Sequence, residues 1–169
     1  MTSPFAEALG ADFTRLPPAV QALHAGPGRW AGQAEVTRGS HPLARLGLAL
    51  GHFPPAGRGP VTVEIAPEGQ GEAWVRRFGT HEMRSHIAPG PVERIGAITV
   101  ALRLTADPEG ISIAIDSTRA FGLPIPGWLA PRSISREGVD AQGRFTFDIG
   151  ARLPGGALLI RYTGWLAPA

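Results

Sequence analysis

The stretch EAWVRRFGTHEMRSH, residues 72–86, sets arginine among aromatic residues. Read as a strand from Glu72 to Phe78, it puts Trp74, Arg76 and Phe78 on one face. Ala73, Val75 and Arg77 take the other, because successive strand side chains point to opposite sides. Each face mixes apolar groups with an arginine, so one guanidinium is expected to point into the fold. A buried charge without a partner is costly, and Glu93 and Asp148 are the candidate partners. The alternative is that Arg76 or Arg77 lays its stem over an aromatic ring and keeps its head in water at a rim. An inward arginine among aliphatic side chains would hold the carboxylate or phosphate head of an apolar ligand.

The remaining polar candidates are His81, Arg84, Glu93, Arg132, Glu137 and Tyr162. His81 and Glu93 are the catalytic candidates, able to do acid–base work if both face one cavity. Taken singly, each reads as a solvated strand position. Tyr162 falls on the apolar face of the last strand, where its hydroxyl needs a partner or an opening. The expected ligand-binding set is therefore Trp74, Arg76, Phe78, Trp128, Arg132 and Tyr162.

Several chemistries are set aside. The chain has no cysteine, which removes thiolate nucleophiles, disulfides and zinc–thiolate sites. The histidines, His24, His41, His52, His81 and His86, show no ligand spacing. HEMRSH is one residue longer than the helical HExxH motif, so no metal is expected. There is no GxSxG elbow, and GPGRWAG lacks the lysine of a phosphate loop. No cofactor is expected. Every basic side chain is arginine, and the pI of 10.3 rests on a net charge of only +2. The arginines form no stripe, so no nucleic-acid surface is expected. No apolar run is long enough to span a membrane, and MTSPFAEAL lacks the basic and apolar regions of a signal peptide. A cytoplasmic protein is the expectation.

These candidates need elements to position them. The 169 residues suit one domain, with a helix-rich part over 1–55 and a sheet over 56–169. TSPFAEALG carries a cap at Ser3, Pro4 in the first turn and Gly10 as a stop. LPPAVQALHAG repeats the device, with Val20, Leu23 and His24 on one side. SHPLARLGLALG predicts a third helix capped by Ser40, with Leu43, Leu46 and Leu50 sharing a face. Between the second and third, RWAGQAEVTRG reads as a strand.

Beyond residue 60 the period becomes two. Val61, Val63 and Ile65 share one face, and so do Ile98, Val100, Leu102 and Leu104. Ile111, Ile113 and Ile115, then Phe145, Phe147 and Ile149, do the same. The last strand aligns Leu158, Ile160, Tyr162 and Leu166. PEGQG, ADPEG and DAQG supply hairpin turns. The fold class expected is mainly β (α+β): an antiparallel curved sheet or half-open barrel of eight to nine strands, with two or three short helices in the N-terminal third. FGLPIPGWLAPRS, residues 121–133, interrupts the alternation. Pro124 and Pro126 are two apart, so one side of that segment cannot pair, which marks an edge or rim. IPGW fits a type II turn centred on Pro126 and Gly127.

Together these blocks resemble the bacterial family known as domain of unknown function 4166. The resemblance rests on LGADFTRLPPAVQALHAGPG, VTVEI…WVRRFG, VERIGAITVALRL, GLPIPGWLAPRSISRE, GRFTFDI and LIRYTGWLAP, in that order. It implies a domain that occurs alone or behind an NAD(P)-binding domain of oxidoreductase type, hence an accessory role and an oxidoreductase partner. The resemblance supplies no established catalytic residues to carry over. Three functions follow as expectations. One is a module holding an apolar, lipid- or isoprenoid-like ligand in a barrel-like cavity. Another is a cofactor-independent isomerase or cyclase using that cavity. The third is an interaction domain with a filled core.

Overall fold

Alternating apolar and polar residues build a sheet whose inner face is apolar, and here that sheet closes on itself. The computed structural model describes residues 3–169; Met1 and Thr2, the start of the stretch inspected for a leader, lie outside them. Helix α1 spans Pro4–Leu9, a 3₁₀ turn spans Gly10–Arg15, and α2 spans Pro18–His24. Strand β1 (Gly28–Arg38) leads to α3 (Pro42–Leu50). A meander follows: β2 (Gly57–Glu68), β3 (Gly71–Phe78), β4 (His81–Ala88), β5 (Val92–Ile95), β6 (Ile98–Asp107) and β7 (Gly110–Ala120). After the short β8 (Leu123–Pro124) and β9 (Arg132–Ser133) come β10 (Ser135–Val139), β11 (Phe145–Arg152) and β12 (Leu158–Pro168).

β1 pairs with both β2 and β12, and β10 pairs with both β11 and β7. Every neighbour is antiparallel. The result is a closed ten-stranded barrel, with β8 and β9 appended. The expectation of eight or nine strands in a half-open sheet is corrected on both counts. A sheet this long removes its edges by closing. The closing contact runs from Ser135–Glu137 to Ile111–Ile113, across the proline-rich segment.

Turn chemistry sets the hairpins. Asp107 Oδ1 accepts from the backbone N–H of Glu109 and Gly110, and Asp140 Oδ1 from those of Gln142 and Arg144. Two register slips re-aim side chains. One falls on β7, where Leu102 faces Ile115 while Ala101 faces Ser117. It lets Ile115 and Thr118 both face inward. The second, at β11–β12, turns Leu159 inward beside Ile160, where the alternation alone predicts Leu158. Gly164 lies between Tyr162 and Leu166 on the inner face. A Cβ there would stand 2.0 Å from the Gln33 carbonyl and 2.8 Å from the Phe147 ring.

The helices close the two ends differently. Ser3 caps α1 through Phe5 N–H. Phe5, Leu16, Val20 and Leu23 are buried under the end that carries the β2–β3, β4–β5 and β6–β7 turns. α3 sits at the other end, where β1 finishes and β2 begins. Its cap is His41, whose Nδ1 accepts from Leu43 N–H, and not Ser40. Ala44 and Leu48 bury one side of α3 against Val36, Leu153, Leu159 and Ile160. The opposite face, with Leu43, Leu46 and Leu50, looks into the barrel. No helix among the described residues is long and apolar enough to cross a membrane.

Candidate functional site

The barrel encloses a cavity of about 300 Å³. Its walls are the inward positions of nearly every strand, Val63, Ile87, Val100, Ile113 and Phe147 among them. Phe5 and Leu23 form the floor. α3 and the segment carrying Ile125, Leu129 and Pro131 frame the mouth. Packing stops short of filling the space because two layers of branched side chains cannot reach across a ten-stranded barrel, whose diameter grows with strand number.

The strand parity of β3 holds: Trp74, Arg76 and Phe78 all face this cavity, while Arg77 turns outward to Glu82 and Glu64. Arg76 Nη2 donates to Glu93 Oε1 at 3.2 Å, and each side chain is 14% exposed. Arg76 Nη1 donates to Ser85 Oγ at 2.7 Å. The guanidinium carbon lies 4.9 Å from the Trp74 ring centroid, close enough for a cation–π contact. Trp74 in turn donates from Nε1 to the buried Glu72 carboxylate. Asp148, the other partner considered for an inward arginine, binds Arg161 on the outer surface.

Tyr162 faces the same space, flanked by Phe78 and Phe147 at 6.0 and 6.4 Å between ring centroids. Its phenol is pushed up to about 12. Burial is the main cause; the Glu93 and Glu137 carboxylates add to it and Arg76 opposes it. A second polar centre lies towards the floor. Glu137, lining the cavity, meets His24 with Oε2 and Nε2 2.6 Å apart. The His24 ring stacks on Phe5 at 4.0 Å, and its Nδ1 has no partner among the described residues. Thr118 Oγ1, on the β7 wall, is also buried without one among them. The arrangement can hold an apolar body and orient one polar group, and Glu137 and Glu93 are carboxylates that a bound molecule would meet.

The expected site is thus brought together in part. Trp74, Arg76, Phe78, Tyr162 and Glu93 converge on one cavity. His81 does not join Glu93: it is the first residue of β4, and its Nε2 meets the His52 carbonyl at 2.9 Å on the surface. Trp128 is 77% exposed and lies outside the wall. Its turn is shifted one residue from the type II reading, with Pro126 O accepting from Leu129 and Ala130 N–H. Arg132 also points to solvent, because its neighbours Pro131 and Ser133 take the inward positions. Arg84 bonds Glu68 on the outer surface. The His24–Glu137 pair was missed as a unit. Its one signal in the sequence is a histidine on the apolar side of α2, which in a core must find a polar partner.

Fold and site define a class: a closed antiparallel β-barrel with one helix-plugged end and an apolar cavity carrying a buried Arg–Glu pair. The chain belongs to the family described as Domain of unknown function (DUF4166), which it matches over residues 16–166. No curated protein matches it.

Proposed function

We propose that the barrel is a small-molecule binding module that holds a lipid- or isoprenoid-like ligand in its cavity. The observation that carries this is the open volume itself, about 300 Å³ lined by apolar side chains, which lies within the range of ligand pockets. A filled core would have spoken for an interaction domain. Arg76, Glu93 and Tyr162 fix the ligand's polar end. Since Glu93 already balances Arg76, and Glu137 adds a carboxylate, an anionic head finds no spare positive charge. A hydroxyl or carbonyl head suits the site better than a carboxylate or phosphate: Arg76 N–H groups and the Tyr162 hydroxyl donate, and Glu93 accepts. Such a module can act alone or hold the apolar substrate of an NAD(P)-dependent oxidoreductase.

Organic extraction of the purified protein, followed by mass spectrometry, tests this. A retained apolar molecule with an uncharged polar end is expected, and a fluorescent long-chain alcohol should bind more tightly than the acid of equal length. The reading fails if nothing is retained and Arg76→Ala leaves the affinity for that alcohol unchanged. The His24–Glu137 contact supports a second reading, a cofactor-independent isomerase or cyclase in which Glu137 moves a proton on the bound molecule. Chemical alteration of the bound molecule by the wild type, lost in Glu137→Gln, would favour it.

A further inference from the structure

The mouth end of the barrel exposes large apolar side chains. Phe121 and Leu123 are 72% and 71% exposed, Trp128 77%, and Leu43 and Leu46 stand half out of α3 across the opening. The tip is held under strain. Phe121 has φ of 51°, a left-handed conformation that a bulky aromatic seldom adopts, and Gly122 follows at 80°. Strain kept at an exposed aromatic tip points to use of that tip.

Unpaired charge at this end has one sign. Arg38, Arg45, Arg119, Arg132 and Arg152 have no carboxylate partner among the described residues, although most arginines elsewhere are paired. All five sit at the mouth. Arg38 closes β1, Arg45 lies between Leu43 and Leu46, and Arg119 donates to the Gly122 carbonyl in the Phe121 hairpin. Arg132 and Arg152 face each other across β9 and β11. The sixth unpaired arginine, Arg94, lies in the same cross-strand row as Arg119, with Thr99 between them. The carboxylates near this end, Glu35, Glu82 and the inward Glu93, are each held by an arginine, Arg58, Arg77 and Arg76.

We propose that the mouth docks on an anionic lipid bilayer, with Phe121, Leu123 and Trp128 entering the headgroup layer and Arg45, Arg119 and Arg132 meeting lipid phosphates. Tryptophan settles at that depth, apolar tips such as Phe121 and Leu123 bury surface just below it, and unpaired arginines are drawn to anionic headgroups. The inference rests on the binding-module reading in one respect: the face surrounds the mouth of the cavity, so a ligand scarcely soluble in water would pass between bilayer and barrel without crossing solvent. Arginines of one sign around apolar tips match a lipid surface, which presents phosphates at any lateral position. Unlike a protein partner, it needs no complementary acidic pattern.

Flotation of the full chain with vesicles tests the proposal. Vesicles of phosphatidylcholine with phosphatidylglycerol should carry the protein, less so at high salt, while phosphatidylcholine alone should carry little. Phe121→Ser with Trp128→Ser should weaken binding at least tenfold. Arg119→Gln and Arg132→Gln should weaken it by about fivefold each and narrow the preference for anionic lipid. These side chains are exposed, and circular dichroism will show that the variants stay folded. The proposal is overturned if the wild type does not float with anionic vesicles, or if the variants float equally well. It is overturned too if the wild type is a dimer that Trp128→Ser dissolves, since a second copy would then cover the face. Flotation with nothing retained, and with an alcohol affinity that Arg76→Ala leaves unchanged, would sink the cavity reading alone; a retained ligand without flotation would sink the docking alone.

Discussion

Replacing Glu93 by leucine removes the charge that balances Arg76 and leaves the guanidinium enclosed. Breaking a fully buried ion pair from one side costs about 3–5 kcal/mol. Here Ser85 and the Trp74 ring still hold Arg76, at 2.7 and 4.9 Å, and the cavity opens towards solvent. The expected cost is therefore below that range, about 2–3 kcal/mol. For a chain of this length each kcal/mol moves the melting temperature by about 2–4 °C, so Glu93→Leu should melt about 4–12 °C lower. Arg76→Met alone should cost a similar amount, because it strands Glu93. The double variant Arg76→Met/Glu93→Leu removes both charges and should lie within about 1 kcal/mol of wild type. Urea unfolding followed by tryptophan fluorescence measures all four proteins, with thermal circular dichroism as the second probe. A coupling energy of at least about 3 kcal/mol is expected from the cycle. If Glu93→Leu melts with wild type, or if the two single losses simply add in the double variant, the pair is not the enclosed unit described above.

Tyr162 is the sole tyrosine, so absorbance near 295 nm reports it alone. Its titration should centre near pH 12, against about 10 in urea. The unfolded chain releases that proton first, so the stabilising contribution is complete below pH 10 and is lost as pH rises towards 12; a midpoint near 10 in the folded protein would refute an enclosed phenol. Phe121→Gly relieves the left-handed strain, worth about 1–2 kcal/mol, against a smaller loss to the freer unfolded chain. The variant should melt slightly higher yet float less well with anionic vesicles, and a lower melting temperature would show that the Phe121 ring packs after all.

Local alternation made much of the cavity legible. Trp74, Arg76 and Phe78 share a face in any strand through those positions, and Glu93 was one of the two carboxylates considered to pair with Arg76. The proline spacing also told true: Ile125 N–H donates to Thr118 O while Pro124 and Pro126 turn their donorless side away. What could not be read depends on contacts distant in sequence. Closure through β7 and β10 joins strands separated by the whole mouth segment. The His24–Glu137 pair joins residues 113 apart. His81 shares its parity with Met83 and Ser85, which are buried, but a face does not say how far along the barrel a residue stands, and His81 stands at the rim. The slip near Ile115 is likewise silent in the pattern, since one extra residue turns every later side chain over.

The seam between β1 and β12 has a consequence for how the chain is made. Trp30 is opposite Pro168 and Arg38 opposite Ile160. The meander from β2 to β7 consists of hairpins and can form as it leaves the ribosome. β1 has one side paired with β2, but its other side must wait until every other strand has been made and β12 arrives. Through that interval an eleven-residue strand edge is open, with Val36 and Trp30 beside it. Such an edge can recruit another nascent chain before its own partner arrives. The slow step in folding this protein is therefore expected to be the meeting of β1 and β12, and conditions that delay it should show first as aggregation during synthesis, with the finished barrel unaffected.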